Sequence, residues 1–191
     1  MKAAVIGAGS WGTALAQVLG GKGVHVALWA RDEAVERAVN SEHRNPRYLS
    51  DAELSGNIAC TLSAQSALAG ADAVVLATPS QHVRSTAEML APHLGAEVPV
   101  VVCSKGVEAG SGLLLTQVVA DVVGGEGRIA VLSGPTHAEE VVEGQPSATV
   151  IAGTGEATVL FFRDLFATER FRTYASDDPV GVELCGDRKS T

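Results

Sequence analysis

The stretch KAAVIGAGSWG, residues 2–12, sets a short apolar run directly against Gly7-x-Gly9-x-x-Gly12, and the reading of this junction decides the fold. A strand that turns straight into a helix needs glycine for three separate reasons. Gly7 permits the tight reversal, Gly9 lets the backbone come close to a pyrophosphate, and Gly12 lets the helix pack closely on the sheet. The helix N-terminus then offers N–H groups and a partial positive charge to phosphates. Glycine turns are common, and the plain alternative is a strand-to-helix bend. The flanks favour a dinucleotide pocket: residues 3–6 read as a buried strand, 13–19 as a helix stopped by Gly20, Gly21 and Gly23, and 24–29 as the next strand.

With 191 residues the chain can bury a substantial core as one domain. A hydrophobic fraction of 46% against 19% charged residues indicates an ordered globule. Fourteen basic and 22 acidic side chains give a net charge of −8, and no basic run is present, which disfavours nucleic acid as a partner. The first residues read as a strand rather than a secretory leader, and no stretch approaches the ~20 apolar residues of a membrane helix. A soluble cytoplasmic protein without membrane insertion is expected. Cys60, Cys103 and Cys185 are odd in number and widely spaced, which predicts buried reduced thiols rather than disulfides or a zinc site.

Helix and strand signals alternate along the rest of the chain. Helices are expected at 33–41, 63–69, 80–90, 113–123, 135–144 and 156–167, with a last one starting near Asp177 and Asp178. Strands are expected at 58–62, 73–77, 98–103, 129–132, 147–152 and 171–175, and the polar stretch 42–56 reads as a surface loop. This order predicts an α/β fold of Rossmann type, a mainly parallel sheet with helices on both faces.

In such sheets ligands gather beyond the C-terminal ends of the strands. The second strand ends at Trp29-Ala30-Arg31, so Ala30 stands where an NAD-preferring fold usually has a ribose-binding acid. Arg31 can pair with a 2′-phosphate, which favours NADP or dual use, while Asp32 keeps NAD open and a solvated surface arginine is the bland reading. Thr78-Pro79 either packs on the cofactor or supplies a helix N-cap and first-turn proline. Lys105, in CSKG after an apolar strand, can face both the nicotinamide end and an anionic substrate, though a lone loop lysine is usually just solvated. Thr136 and Glu139 have capping-box spacing. His137, Glu139 and Glu140 lack the partners a zinc site needs, so no metal is assigned.

Five words, GAGSWGTALA from Gly7, LWARD from Leu28, CSKG from Cys103, SGPTHAEEV from Ser133 and VGVELCG from Val180, together resemble bacterial NAD(P)-dependent glycerol-3-phosphate dehydrogenase. They follow that family's order and cover nearly the whole chain. The resemblance implies hydride transfer between NAD(P)H and dihydroxyacetone phosphate, giving sn-glycerol 3-phosphate for glycerophospholipid synthesis. It implies cofactor contacts from Ser10, Trp11, Arg31 and Ala138 beside the glycines, with Pro79 as a further candidate. It also implies that Lys105 touches cofactor and substrate, and that Gly134 and Thr136 bind substrate. The family's proton-transferring lysine falls by spacing on Lys189, in Gly186-Asp187-Arg188-Lys189-Ser190-Thr191, where polar residues replace the family's apolar pair.

The resemblance further implies a dinucleotide-binding domain over 1–186, with the polar tail 187–191 where the family's helical C-terminal domain would begin. Two accounts follow: an enzyme of this family, or a cofactor-binding module without turnover. A ketopantoate reductase is a weaker third, since it is not expected to carry SKG and SGPT together. An exposed apolar patch near Val180, Val182 and Leu184 is expected to drive dimerisation or aggregation.

Overall fold

The structure, a computed structural model, describes residues 1–187, with side chains through Gly186. Eight strands, β1 (Lys2–Ile6), β2 (His25–Trp29), β3 (Ile58–Thr61), β4 (Ala73–Leu76), β5 (Val100–Val102), β6 (Ile129–Ser133), β7 (Ser147–Gly153) and β8 (Phe171–Ser176), form one sheet. Its order is β3-β2-β1-β4-β5-β6-β7-β8. Neighbours are parallel from β3 to β6, β7 runs antiparallel to β6, and β8 is parallel to β7. The chain therefore builds outward from β1 in one direction and resumes on its other side at β4, which creates a crevice between those two strands.

The strands are apolar on successive residues because both faces are covered. Ala3 and Val5 of β1 enter one core cluster, Ala4 and Ile6 the other. On the first face lie α1 (Ser10–Gly21), α2 (Glu33–Glu42), α6 (Ala138–Val142) and α7 (Glu156–Phe166), with Leu15, Val39, Val141 and Phe162 among their buried residues. On the second lie α3 (Ala64–Leu68), α4 (Val83–Leu90) and α5 (Leu115–Val123), through Leu68, Val83, Leu90 and Val118. The expected Rossmann-type α/β fold is borne out, with only a residue or two of difference at most element ends.

The last helix, α8 (Pro179–Asp187), packs on β6 and β7. Its anchor is Glu183, only 4% exposed, whose Oε1 accepts from the Thr116 backbone N–H in the first turn of α5 at 3.2 Å. Val180 and Leu184, each 47% exposed, face outward. Cys60 and Cys103 are buried free thiols as expected, but Cys185 is exposed, because it shares the uncovered side of α8 with Leu184.

Burial pushes the Glu183 carboxyl above the usual carboxylate range, against a smaller opposing effect of its hydrogen bond to Thr116. The folded chain thus holds that proton more tightly than the unfolded chain, so ionisation costs stability as pH rises through the carboxylate range. Glu183→Gln keeps the acceptor without the charge. It is expected to melt above the natural chain at pH 8. The gap should close as the pH falls below about 4, checked by thermal denaturation across pH.

Candidate functional site

The register of the parallel strands sets Trp29, Ile6, Leu76, Val102 and Val131 in one row across the sheet. The residues just after these positions share one edge, and a cleft of about 620 Å³ opens there, lined by Gly7, Gly9, Arg31, Thr78 and Lys105 among others. That volume lies within the usual range for ligand pockets.

The glycine turn is built by contacts that leave no room for side chains. Gly7 has φ +116°, and a Cβ on it would meet the Ala77 carbonyl oxygen at 2.7 Å. A Cβ on Gly12 would meet the Gly7 carbonyl oxygen at 1.8 Å, so helix α1 can seat here only without one. Gly9 differs: nothing lies within 4 Å of its Cβ position, which faces open cleft. Gly9 is also the N-cap of α1 and supplies no side-chain cap, and the first turn holds no acid. Its N–H groups and partial charge therefore suit a phosphate. Ser10 and Trp11 line the same wall.

A residue not singled out in the sequence holds this turn. Asn45, fully buried, donates from Nδ2 to the Ala8 carbonyl at 3.0 Å and to Thr13 Oγ1 at 2.8 Å, and its Oδ1 accepts from Tyr48 N–H at 3.2 Å. The stretch 42–56 is therefore not simply a surface loop: its middle is bolted to the glycine turn, which carries Arg47 and Tyr48 to the cleft. The available signal was the Asn45-Pro46 turn pair, which says nothing about a partner 32 residues earlier.

At the end of β2, Ala30 is buried and Arg31 is exposed on the cleft wall. Asp32 caps α2, accepting from Ala34 N–H at 2.8 Å, and its other oxygen pairs with Arg47 at 2.8 Å. These contacts, the Ala34 N–H first, hold its carboxyl below the usual range.

After β4, Thr78 does not cap the following helix. Pro79 takes the N-cap position of a 3-10 turn, Ser80–His82, placing Thr78 one residue too early. Its Oγ1 is buried without a hydrogen-bond partner among the described residues. Ser104 Oγ donates to the Thr78 carbonyl, joining the ends of β4 and β5. Lys105, part-buried, donates from Nζ to the Gly134 carbonyl at 3.3 Å, joining β5 to β6. The Cys103 side chain belongs to the core behind this edge, and burial pushes its thiol upward.

Beyond β6 the Thr136–Glu139 capping box does not form, because His137 occupies the N-cap and α6 starts only at Ala138. Ala138 is buried in the core at that helix start rather than on the cleft wall. Gly134 packs tightly, since a Cβ would meet the Ala148 carbonyl oxygen at 2.7 Å. Helix α8 returns the chain to this edge, where Gly186 lies against Ser133 Oγ. Lys189 lies outside the described residues. Among the described residues, no group of three or more His, Cys, Asp or Glu side chains is arranged to hold a metal ion.

The sequence profile of the family described as NAD-dependent glycerol-3-phosphate dehydrogenase N-terminus matches residues 2–159. The chain belongs to this family. A glycerol-3-phosphate dehydrogenase [NAD(P)+] of Corynebacterium urealyticum is 41% identical over 191 residues, covering 100% of this chain and 58% of its own length. The crystal structure of glycerol-3-phosphate dehydrogenase from Coxiella burnetii superposes with a TM-score of 0.90 at 33% identity, over 97% of this chain and 56% of that one. A ketopantoate reductase from Ralstonia eutropha, at 20% identity and a TM-score of 0.69 over 93% of this chain and 57% of its own, shares the fold alone. The chain thus spans little more than half the length of its dehydrogenase relatives.

Two glycine substitutions separate packing from binding in this family member. Gly12→Ala is expected to destabilise the chain by about 3 kcal/mol in urea denaturation, by overpacking. Gly9→Ala should leave stability near that of the natural chain but remove NADPH binding in fluorescence titration. Asn45→Ala, which leaves the Ala8 carbonyl and Thr13 hydroxyl short of a donor, should cost about 1–3 kcal/mol.

Proposed function

We propose that this chain forms the cofactor-binding portion of an NAD(P)-dependent glycerol-3-phosphate dehydrogenase, acting between NAD(P)H with dihydroxyacetone phosphate and sn-glycerol 3-phosphate. The carrying observation is the convergence, on one sheet edge, of the uncapped α1 N-terminus and Lys105. The open space at Gly9 and the absence of a capping side chain fit a dinucleotide pyrophosphate. When bound, the nicotinamide supplies or accepts the hydride. The chain's own part is to bind and orient: the turn holds the pyrophosphate, Trp11 and Pro79 border the cleft, and Lys105 presents a cation to a phosphorylated ketone. Gly134 and Thr136 are assigned to substrate, Ala138 to the cofactor side, and Lys189 to proton transfer, on the family resemblance.

Of NADP and NAD, the end of β2 favours NADP. Asp32 has one oxygen on Ala34 N–H and the other on Arg47, so it is a poor acceptor for a ribose diol, while Arg31 and Arg47 both reach the cleft. A guanidinium suits a 2′-phosphate. Replacing both arginines by alanine is expected to weaken NADPH binding about tenfold or more with little change for NADH, measured by fluorescence titration.

The cytoplasmic setting expected from the sequence belongs to this proposal and is supported by the free cysteines, which suit a reducing compartment. Among the described residues, no helix is long and apolar enough to cross a membrane. Homodimerisation is proposed from the exposed Val180 and Leu184, and a monomer at all concentrations in sedimentation would count against it.

The deciding experiment is NADPH oxidation by the purified chain with and without dihydroxyacetone phosphate. Substrate-dependent oxidation that Lys105→Ala loses supports the dehydrogenase reading. NADPH binding with no turnover at high protein concentration would reduce the chain to a cofactor-binding module.

A further inference from the structure

The segment that carries Lys105 runs from Cys103 to Leu114 between β5 and α5, and it closes on itself. Glu108 N–H donates to the Leu113 carbonyl at 2.9 Å, Gly112 N–H donates to the Glu108 carbonyl at 3.0 Å, and Val107 bridges Leu114. Between this closed stem and the strand lies Gly106, with φ +114°, a position where the backbone turns freely. Lys105, beside this pivot, is tied at Nζ to the Gly134 carbonyl, and the direction of its backbone is set by what fixes the chain on either side.

Both fixings are present. On the strand side, Ser104 Oγ donates to the Thr78 carbonyl. On the stem side, Arg84 of α4 grips Glu108 with a two-pronged contact, Nε to Oε1 at 2.8 Å and Nη2 to Oε2 at 2.9 Å. Its remaining prong, Nη1, reaches Asp121 Oδ2 of α5 at 2.7 Å, and Ser111 Oγ adds a 2.6 Å bond to Glu108 Oε2. One guanidinium thus ties together α4, the Lys105 segment and α5. Partly exposed ion pairs contribute little to stability on average, but a planar fork on a carboxylate fixes geometry. Neither Arg84 nor Glu108 lines the cleft, so their effect on it passes through the segment.

We propose that Arg84 is a positioning residue: through its forked pairing with Glu108 it fixes the segment that aims Lys105 into the cleft. The proposal rests on the reading of Lys105 as the cation that meets a phosphorylated substrate.

The sequence has only four lysines, Lys2, Lys22, Lys105 and Lys189, so a reductively ¹³C-methylated chain gives few signals, and Lys105→Arg assigns the one of interest. In the natural chain the Lys105 signal should stand apart from that of a solvated lysine and move on titration with inorganic phosphate. In Arg84→Gln and in Glu108→Gln the signal should collapse to the solvated position and its phosphate response fall about tenfold, the scale expected for a misplaced group. NADPH binding should fall less than the phosphate response, because the glycine turn that would hold the pyrophosphate is fixed by Asn45 and not by the Arg84–Glu108 pair. The exchange Arg84→Glu with Glu108→Arg, made together with Asp121→Asn so that no second acid faces the new carboxylate at position 84, should recover part of the loss. If Arg84→Gln does not fold, Arg84→Lys, which keeps the charge without the fork, serves the same comparison. An unchanged Lys105 signal in these variants, or a charge exchange no better than its single changes, overturns the proposal. A natural chain whose displaced Lys105 signal ignores phosphate overturns instead the substrate role of Lys105, and the clamp is then judged on the phosphate-free signal position.

Discussion

Everything at this site depends on the contact of helix α1 with the turn that precedes it. The Gly7 carbonyl stands 1.8 Å from where a Cβ on Gly12 would be, and Gly7 itself is pressed against the Ala77 carbonyl. Bare backbone at these positions brings α1 onto the sheet and β1 beside β4 with nothing between them. The N-terminus of α1 is thereby aimed along the sheet edge, where its N–H groups can meet an anion. Close packing is also what commits the geometry, since an interior at this density transmits any added methyl as strain.

The charge of the molecule and the charge of its cleft are opposite in character. A net charge of −8 repels anions at long range, yet Arg31, Arg47 and Lys105 all reach the cleft. Local placement dominates because exposed charges beyond about 10 Å are screened at ordinary ionic strength, while a cation within the site is not. Two acids near these cations are already engaged: Asp32 caps α2 and holds Arg47, and Glu108 holds Arg84 away from the cleft. Glu108 is kept ionised by that pairing, its carboxyl held down to about 2, so the contact persists through the neutral pH range.

Side chains distant in sequence hold each loop of the cleft to a neighbouring strand end. Asn45 fixes the glycine turn, Ser104 joins the ends of β4 and β5, and Lys105 joins β5 to the Gly134 carbonyl of β6. The loops at this edge therefore form one connected rim. A change in one is felt by its neighbour through hydrogen bonds whose loss would leave partly buried groups unpaired.

The order and type of the elements were legible in the sequence because each carries its signal locally. Strands such as Ala73–Leu76 are continuous apolar runs, and the helices repeat apolar residues at their own period. The glycine turn, Arg31 and Lys105 were legible for the same reason, since each follows a strand directly. Local spacing misled at Thr78 and Thr136, where the helices start later than a cap requires, and at Cys185, whose exposure depends on what α8 leaves uncovered. Asn45 and the Arg84–Glu108 fork left no trace in the local pattern. Their partners lie tens of residues away, and only the packing of the sheet and its register brings them within hydrogen-bond reach. The sequence by itself determined the strand-turn-helix and the groups presented at its edge; the tertiary structure alone decided which of those groups are held in place, because hydrogen bonds between distant residues exist only after the chain has closed.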